Sequence, residues 1–380
     1  MIDVPDLAQT SSNGDERNGP RRSVEVEYWV IDEGGRLTAA EELTEASPGA
    51  EQEFIEPLIE IKTSPCESSA ELRSELYTRL RSVLTAAEKE GKGLVPLATP
   101  LNDVDITDRP HERTRIQSRV VGDEFDCVRH CAGTHIHFEQ LPGREIDQLN
   151  TLTALDPALA LVNSSPFFRG SHIAASARSE VYRWKAYESL PQQGQLWSYA
   201  EDTEEWATRL ERRYEEFVTE AIVSGVPREQ VESCFTPESG VWTPVKLRGE
   251  FSTVEWRSPD TALPSQILEL ADQLSRLLSH LDRSAVHIGE GTDTTEPEVV
   301  LPEFDVVQEH AQKAIRNGLS SAKLRNYLTR MGLDVSAFEP LSSEFEMETE
   351  ISPERARDIR LSYAERLKED IVMATPARAE

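Results

Sequence analysis

The sequence predicts an α+β fold, with a mainly antiparallel sheet and helices packed on its outer face. Short runs with alternating apolar residues indicate strands, and long amphipathic patterns between them indicate helices. The two kinds of segment do not alternate strictly, which argues against a doubly wound parallel sheet. The strands are expected at 23–32, 54–62, 93–98, 132–139 and 252–258, with a weaker candidate at 241–247.

Capping signals locate the helices. The first helix is expected to begin after Ser68, which can form a capping box with Glu71, and to end at Gly91. A second pattern covers 145–165 and is interrupted by Pro157, because proline lacks the amide hydrogen that a helix needs. Further helical patterns lie at 201–225, 263–286, 303–317, 319–330 and 352–371.

Composition along the chain sets the expected domain limits. Residues 1–20 are polar and rich in turn formers, which predicts a disordered leader. Residues 21–375 are then expected to form one domain, with a helical C-terminal part at about 300–372. Within it, the Gly-, Thr- and Glu-rich stretch 286–300 is expected to be an exposed loop.

The charge of the chain is extreme. Its formal net charge is −29, and only 8 of its 40 basic residues are lysine. Acids spread along the whole chain are typical of a protein adapted to concentrated salt, where short screening lengths make such charge tolerable. The acidity argues against nucleic acid as a partner. The sequence also has no apolar run of about 18 residues and no signal peptide, so a soluble, cytoplasmic protein without membrane contact is expected.

The cysteines do not suggest a disulfide framework in a chain of this length. Cys127 and Cys131 flank His130, but a structural zinc site needs a second ligand pair at similar spacing, and none follows. We therefore expect inert thiols at Cys66, Cys127, Cys131 and Cys234.

Acidic residues interrupt two strands that are otherwise apolar. In VEVEYWVID (24–32), Glu25 and Glu27 share a face that continues with Trp29 and Ile31. The second segment, EFIEPLIEIKTSP, is a core-like run that contains Glu53, Glu56 and Glu60.

Two further strands repeat this pattern. CAGTHIHFE places His135 and His137 on one face, and STVEWRSPD places Glu255 and Arg257 two apart. Taken singly, such residues usually form a solvated face or a hydrogen-bonded pair. The same pattern on four strands favours a cation-binding site, because burying several carboxylates costs many kcal/mol unless cations compensate their charge. Carboxylates suit magnesium, which also binds substrate phosphates. The sequence has neither GxxxxGK[ST] nor GxGxxG, the two Gly-rich phosphate-binding motifs.

Five segments in order resemble the glutamate–cysteine ligases and related carboxylate–amine ligases of the glutamine synthetase superfamily. The resemblance covers roughly 23–260, and each segment alone is a weak signal. The matching segments are VEVEYWVID, EFIEPLIEIKTSPC, AGTHIHFE, ALALVNSSPFFRGSHIAASAR and GEFSTVEWRSPDT. The resemblance implies a curved antiparallel sheet that lines the active site.

Carried over by position, the resemblance implies roles for several charged residues and two histidines. Arg257 would meet the transferred phosphate, and Arg178 would hold a substrate carboxylate or phosphate. His137, together with Lys246 or Arg248, would contact the nucleotide. Two or three magnesium ions would be held by Glu25, Glu27, Glu53, Glu60, His135 and Glu255.

The chain departs from the family pattern in four places. Ser23 replaces an opening glycine, and Val26 replaces a middle acid on the opposite strand face. Ser252 and Thr253 replace a Gly-Thr pair. The segment 97–102 lacks the histidine of a turn that surrounds substrate in relatives, which leaves substrate choice open.

The resemblance implies an ATP-dependent ligase that joins the γ-carboxylate of L-glutamate to the amine of L-cysteine through an acyl-phosphate. The product, γ-glutamylcysteine, would serve as the thiol of a salt-adapted cytoplasm. Two alternatives stay open: the same chemistry with another amine or carboxylate, and a non-catalytic paralogue that binds nucleotide or amino acid. A homodimer also stays open.

Overall fold

The computed structural model describes residues 19–289, 298–345 and 348–373. Most of the expected leader, residues 1–18, therefore lies outside the described residues, as does the centre of the expected loop at 286–300. The predicted α+β class is confirmed by an antiparallel sheet with helices around it. None of the described helices combines the length and apolar character that a bilayer-crossing segment needs.

The described strands are short, apart from the first. They are β1 (Arg22–Asp32), β2 (Ala50–Gln52), β3 (Leu58–Lys62), β4 (Lys92–Val95), β5 (Thr134–Glu139), β6 (Phe167–Phe168), β7 (Ser171–His172), β8 (Val245–Arg248), β9 (Thr253–Trp256), β10 (Ala285–Ile288) and β11 (Glu298–Leu301).

The helices range from one turn to 21 residues. They are α1 (Ser69–Lys89), α2 (Glu112–Val121), α3 (Phe125–Val128), α4 (Glu145–Ala154), α5 (Ala177–Trp184), α6 (Thr203–Val223), α7 (Arg228–Cys234), α8 (Pro237–Gly240), α9 (Pro264–Ser279), α10 (Phe304–Asn317), α11 (Ala322–Arg330) and α12 (Pro353–Met373). Short 3-10 helices lie at Glu41–Ala46, Gly122–Glu124, Asp156–Val162, His280–Asp282, Gly318–Ser320, Val335–Ala337 and Leu341–Phe345.

The main sheet has seven strands and is antiparallel throughout. Six of them follow the order β2-β3-β1-β5-β9-β8, and β4 pairs with the C-terminal end of β1. The strand β1 is central because it is long enough to pair with three neighbours. Adjacent strands therefore present corresponding residues side by side on each face of the sheet.

The two faces of β1 pack differently. Val24, Val26 and Tyr28 are fully buried in the main core, which also contains the apolar side chains of α1 and α9. On the other face, Trp29 and Ile31 join a second apolar cluster with residues of β4 and α12. The acidic face of β1 thus ends in a packed apolar region, as the sequence predicts.

Helices also stand over the acidic face. Residues of α2, α6 and α8 line a cavity there, together with side chains of β8. The predicted outer layer, α1 and α9, is therefore accompanied by a second helical wall that encloses the acidic face.

Most predicted elements agree with the structure. Ser68 caps α1 by accepting from the Glu71 amide, and α4 gives way to a 3-10 helix at Pro157. The predicted strand 54–62 is too long, because only Leu58–Lys62 is extended and the preceding residues form the turn from β2. The predicted loop 286–300 is wrong at both ends, where β10 and β11 pair in parallel.

Candidate active site

The strand register brings the predicted charged residues together. Glu25 on β1 lies opposite His135 on β5, and Glu27 on β1 lies opposite Glu60 on β3. On the next pair of strands, His137 lies opposite Glu255. Side chains of directly opposed residues are in contact range, so pairing alone assembles most of the group.

The first cluster contains Glu25, His135 and Glu255, whose potential ligand atoms all lie within 4.8 Å of one another. His135 Nδ1 lies 3.1 Å from Glu25 Oε2 and 3.8 Å from Glu255 Oε1. His137 adjoins this cluster, with its Nε2 3.6 Å from Glu25 Oε2 and its Nδ1 3.1 Å from the Thr253 hydroxyl.

The second cluster contains Glu27, Glu53 and Glu60, again with oxygens within 4.8 Å of one another. Glu53 reaches it from the turn between β2 and β3 rather than from a strand. Glu27 Oε2 accepts a hydrogen bond from the Gly133 amide at 2.5 Å. Glu56, which the same segment also contains, is exposed and takes no part.

Three negative charges in the second cluster are unfavourable, because the carboxylates repel one another and are removed from water. Burial, followed by repulsion from Glu60, raises the pKa of Glu27 to about 7. Burial and repulsion from Glu27 raise the pKa of Glu53 to about 7 as well. Burial, then Glu53 and Glu25, raise the pKa of Glu60 well above its ordinary value, although Lys62 Nζ lies 2.9 Å away. A divalent cation would remove this penalty.

In the first cluster, by contrast, the carboxyl pKa values are lowered. Burial disfavours the charge of Glu25, but hydrogen bonds with His135 and His137 outweigh it and hold its pKa below the ordinary value. For Glu255, burial is outweighed chiefly by Arg257 and Lys246, which hold its pKa well below the ordinary value. Burial, followed by Arg257, lowers the pKa of His135 to about 4. A neutral imidazole between two carboxylates is suited to binding a cation.

Basic side chains gather around Glu255, the member of the first cluster that lies on β9. Arg257 pairs with Glu255 through Nη1, and Arg248 Nη1 lies 2.8 Å from Glu255 Oε2. Lys246 Nζ lies 3.8 Å from the same oxygen and donates to the Glu238 carbonyl. Burial lowers the pKa of Lys246 to about 7. The buried Nε atoms of Arg248 and Arg257 have no hydrogen-bond partner within the described chain.

Both groups of charges border one cavity of about 560 Å³. Its acidic side includes Glu27, Glu53 and His135, and its basic side includes Lys246, Arg248 and Arg257. A cavity of this size accommodates a small-molecule ligand.

The sequence as a whole matches the model of one protein family, described as glutamate–cysteine ligase family 2, over residues 23–357. The chain belongs to this family. The match extends beyond the five segments that carry the resemblance and includes most of the helical C-terminal part.

Curated relatives agree with this membership, and all three described here carry the name glutamate–cysteine ligase 2 provisionally. The relative from Rhodococcus jostii (strain RHA1) is 32% identical over 161 residues, 40% of this chain and 43% of the relative. The relative from Frankia casuarinae is 29% identical over 280 residues, 72% and 65% of the two chains. The relative from Jannaschia sp. is 28% identical over 280 residues, 70% and 66%. The matches span less than two thirds of each relative.

Solved structures show weaker similarity. A bifunctional glutathione synthetase from Pasteurella multocida has a TM-score of 0.49 and 13% identity, over 94% of this chain and 53% of that one. A glutamate–cysteine ligase from Francisella tularensis, solved in complex with AMP, has a TM-score of 0.42 and 12% identity, over 94% and 96%. Both similarities are low, so family membership depends on the sequence match.

Arg178 does not line the cavity, although its positive charge partly offsets the raised pKa of Glu27. It is 3% exposed, and its guanidinium donates to the backbone carbonyls of Arg257, Ser258 and Pro259. It also packs against Gly133, where an added Cβ would lie 2.2 Å from Arg178 Nη2. Arg178 therefore supports the segment after β9, and its role in holding a substrate carboxylate or phosphate stays a prediction.

Family reasoning missed several cavity residues. Tyr182 stacks on Trp242 with ring centroids 4.5 Å apart, and Tyr187 lies beside them. Arg113 on α2 reaches the basic side of the cavity. No sequence signal separates Arg113 from the exposed Arg115, because only the helix orientation decides which one faces inward.

The remaining sequence expectations concern the cysteines and the segment 97–102. Both ring nitrogens of His130 face backbone carbonyls, of Asp126 and Val104, so neither is available for zinc. Burial raises the pKa of the Cys66 thiol to about 12, which agrees with an inert role. The segment 97–102 is buried in the protein and does not line the cavity.

Proposed function

We propose that this family member is an ATP-dependent carboxylate–amine ligase that joins the γ-carboxylate of L-glutamate to the amine of L-cysteine. Family membership supports the reaction class, and the two carboxylate clusters at one cavity are the observation that carries the proposal. A protein has little reason to bury these acids together unless cations and phosphates bind there.

The residues present fit magnesium. The donor set is five glutamates and one histidine, and oxygen donors are what this hard cation prefers. The raised pKa values of Glu27, Glu53 and Glu60 support a bound cation independently of the donor types. We propose one ion at each cluster, which is the lower of the two numbers that the family resemblance implies.

Bound magnesium would supply charge neutralisation for the phosphates of ATP. In the first chemical step, a glutamate γ-carboxylate oxygen attacks the γ-phosphorus, an acyl-phosphate forms and ADP leaves. The amine, after losing a proton, then attacks the acyl carbon, and phosphate leaves as the amide forms. Both steps depend on positioning and charge stabilisation rather than on a protein nucleophile.

The chain's own cations support these steps. Arg257 borders the cavity and has an unpaired, buried Nε, so it can donate to the phosphoryl group as charge develops. Glu255 anchors Arg257 and Arg248 at its two carboxylate oxygens, which fixes both guanidinium groups before substrate arrives. Lys246 and His137 are the remaining candidates for contact with the nucleotide.

A second candidate is the same chemistry with another amine or another carboxylate. The 28–32% identity to relatives and the incomplete coverage of their length favour keeping it. Phosphate release from ATP, measured against a panel of amino-acid pairs in molar potassium chloride with magnesium, separates the two. Glutamate with cysteine should give the fastest release; a faster rate with another pair replaces the substrate assignment, and no release with any pair contradicts the ligase.

The metal assignment has a direct test. Glu25→Ala and Glu60→Ala each remove one carboxylate from a different cluster, so each should lower ATP turnover at least about 100-fold. The fold should be nearly intact, because each side chain borders the site rather than the apolar core. Glu88→Ala on α1, a surface carboxylate, is the matched control and should keep full activity. Near-normal turnover in either cluster variant would contradict the assignment.

A further inference from the structure

The cavity is polarised across the sheet. The second carboxylate cluster lies at β1, β3 and the turn before β3, and the first cluster extends across β5 to Glu255 on β9, where the basic side chains of β8 and of the segment after β9 contact it. Arg113 extends this basic end from the helical wall, because it enters the same cavity from α2. Lys246, Arg248 and Arg257 each lie at ion-pair distance from Glu255 of the first cluster, so they are close to the proposed magnesium and phosphates, whereas Arg113 has no such ion pair among the described residues.

Arg113 is held in place without being saturated. Its Nη1 donates to the Cys234 carbonyl at 3.2 Å, and its Nη2 donates to the Ser239 carbonyl. The guanidinium carbon lies 4.3 Å from the centre of the Phe235 ring. Two of its five N–H donors are thereby used, and the aromatic ring fixes the plane of the rest. A fork held in this way is prepared for a planar anion.

Within the described residues, Arg113 has no carboxylate at ion-pair distance. Burial, followed by the charge of Arg257, lowers its pKa, and Arg248 acts in the same direction. This differs from the situation of Arg248 and Arg257, which share Glu255.

The local charge does not balance. Of the four basic side chains at this end, Lys246 is only partly charged at neutral pH, because burial lowers its pKa to about 7. In the described ion pairs these side chains meet two carboxylates, Glu255 and the partly exposed Glu238, which lies 3.7 Å from Arg248 Nε. Excess buried positive charge is costly unless an anion compensates it. The four basic side chains are Arg113, Lys246, Arg248 and Arg257.

We propose that Arg113 binds the α-carboxylate of an amino-acid substrate, and this inference rests on the proposed ligase function. A carboxylate fits better than a phosphate, because Arg113, unlike the other three basic side chains, has no described ion pair with a residue of the clusters that would hold magnesium and its phosphates. Tyr187 and Trp242 add an aromatic wall near this end, which suits the carbon skeleton of an amino acid. Glutamate and cysteine both carry an α-carboxylate, so the experiment distinguishes them.

Steady-state kinetics of Arg113→Gln provide the first arm. The KM for one amino acid should rise about 10- to 100-fold, because a charge-assisted hydrogen bond is lost, while the KM for ATP stays within about twofold. Arg113→Lys keeps the charge without the fork and should lie in between. The matched control is Arg115→Gln on the same helix, whose side chain is 75% exposed, and it should change neither constant.

Substrate analogues provide the second arm. 4-Aminobutyrate is glutamate without its α-carboxylate, and cysteamine is cysteine without its carboxylate. The wild-type protein should use the relevant analogue at least about tenfold less well than its parent. In Arg113→Gln this preference should disappear for one parent and remain for the other, which identifies the substrate that Arg113 holds.

Equilibrium binding of the four compounds, with magnesium and a non-hydrolysable ATP analogue, makes the test independent of turnover and of variant folding. Equal wild-type affinity for each parent and its analogue overturns the inference. A rise in the KM for ATP alone indicates a phosphate site and also overturns it. Turnover with unchanged amino-acid constants in a folded Arg113→Gln contradicts this inference and leaves the proposed function standing. Binding that depends on the α-carboxylate, in a protein that shows no turnover, supports this inference and contradicts the proposed function.

Discussion

The side chains of Glu27, Glu53 and Glu60 illustrate how residue positions carry function in this protein. Glu60 is buried, Glu27 and Glu53 are half-buried beside it, and the Lys62 ammonium lies 2.9 Å from Glu60. Burial and mutual repulsion raise the pKa values of Glu27 and Glu53 to about 7, compared with an ordinary value of 4.5. The metal-free protein therefore holds protons where the proposed metal-bound protein holds a cation.

The raised pKa values predict how magnesium should stabilise the protein at different pH. Carboxyl groups with a raised folded-state pKa favour folding below their unfolded pKa, and this contribution is lost as the pH rises from about 4.5 through 7. Metal-free protein should therefore lose stability across this window. Magnesium should raise the melting temperature more at pH 8 than at pH 6, as measured by thermal unfolding at constant salt.

A double variant supplies the control for this experiment. Glu27→Gln with Glu53→Gln removes two of the titrating groups, so the pH dependence of the magnesium effect should largely disappear. An equal rise in melting temperature at pH 6 and pH 8 in the unsubstituted protein would show that these groups do not bind the cation.

At the level of elements, the end of β9 is held by a buried polar network. Asp156 is fully buried and accepts from Arg183 Nη2 at 2.6 Å, from Trp256 Nε1 at 3.1 Å and from the Ser258 hydroxyl. Together with Arg178, it supports the backbone on both sides of Arg257. The helix α5 thus positions a strand end that carries two of the proposed site residues.

Breaking this network should affect both stability and activity. Asp156→Asn keeps the shape but leaves the buried charge of Arg183 unpaired, which should cost about 3–5 kcal/mol in the free energy of unfolding. Turnover should also fall, because Arg257 would be less well placed. Urea denaturation and ATP turnover measure the two effects.

An exposed ion pair offers the comparison for Asp156. Glu215 lies on the surface of α6, 2.8 Å from Arg228 Nη2, with half of its side chain accessible. Glu215→Gln should leave the free energy of unfolding nearly unchanged, because exposed pairs are solvated and screened. A similar small change for Asp156→Asn would mean that the network does not fix β9.

At the scale of the whole molecule, the net charge of −29 dominates behaviour in solution. The chain has 69 acidic and 40 basic residues, so its acidic charges cannot all be balanced by its own cations. Self-repulsion of this kind destabilises a compact state unless salt screens it.

Salt should therefore stabilise this protein. The screening length is about 10 Å at 0.1 M salt and about 3 Å at 1 M, so repulsion between surface acids falls steeply over this range. The melting temperature should rise as potassium chloride increases from 0.1 M to 2 M, in thermal scans at fixed pH. A melting temperature that stays constant or falls would contradict salt adaptation.

Much of the secondary structure was predictable because local patterns decide it. The cap at Ser68, the break at Pro157 and the alternation of β1 depend on neighbours in sequence, and the structure agrees with each. The pairing of β10 with β11 was missed, because the Gly- and Thr-rich stretch between their sequences resembles a loop. The backbone contacts of Arg178 were not predictable, since they come from a segment 79 to 81 residues away.

The sequence by itself determined the family, the strand faces and the identity of the clustered acids, because these follow from residue order and the two-residue period of a strand. Only the tertiary structure decided which acids share a cluster, since that depends on register between β1, β3, β5 and β9. It also decided that Arg113 faces the cavity and Arg115 faces solvent. Helix rotation against the sheet sets that difference, and packing against distant residues fixes the rotation.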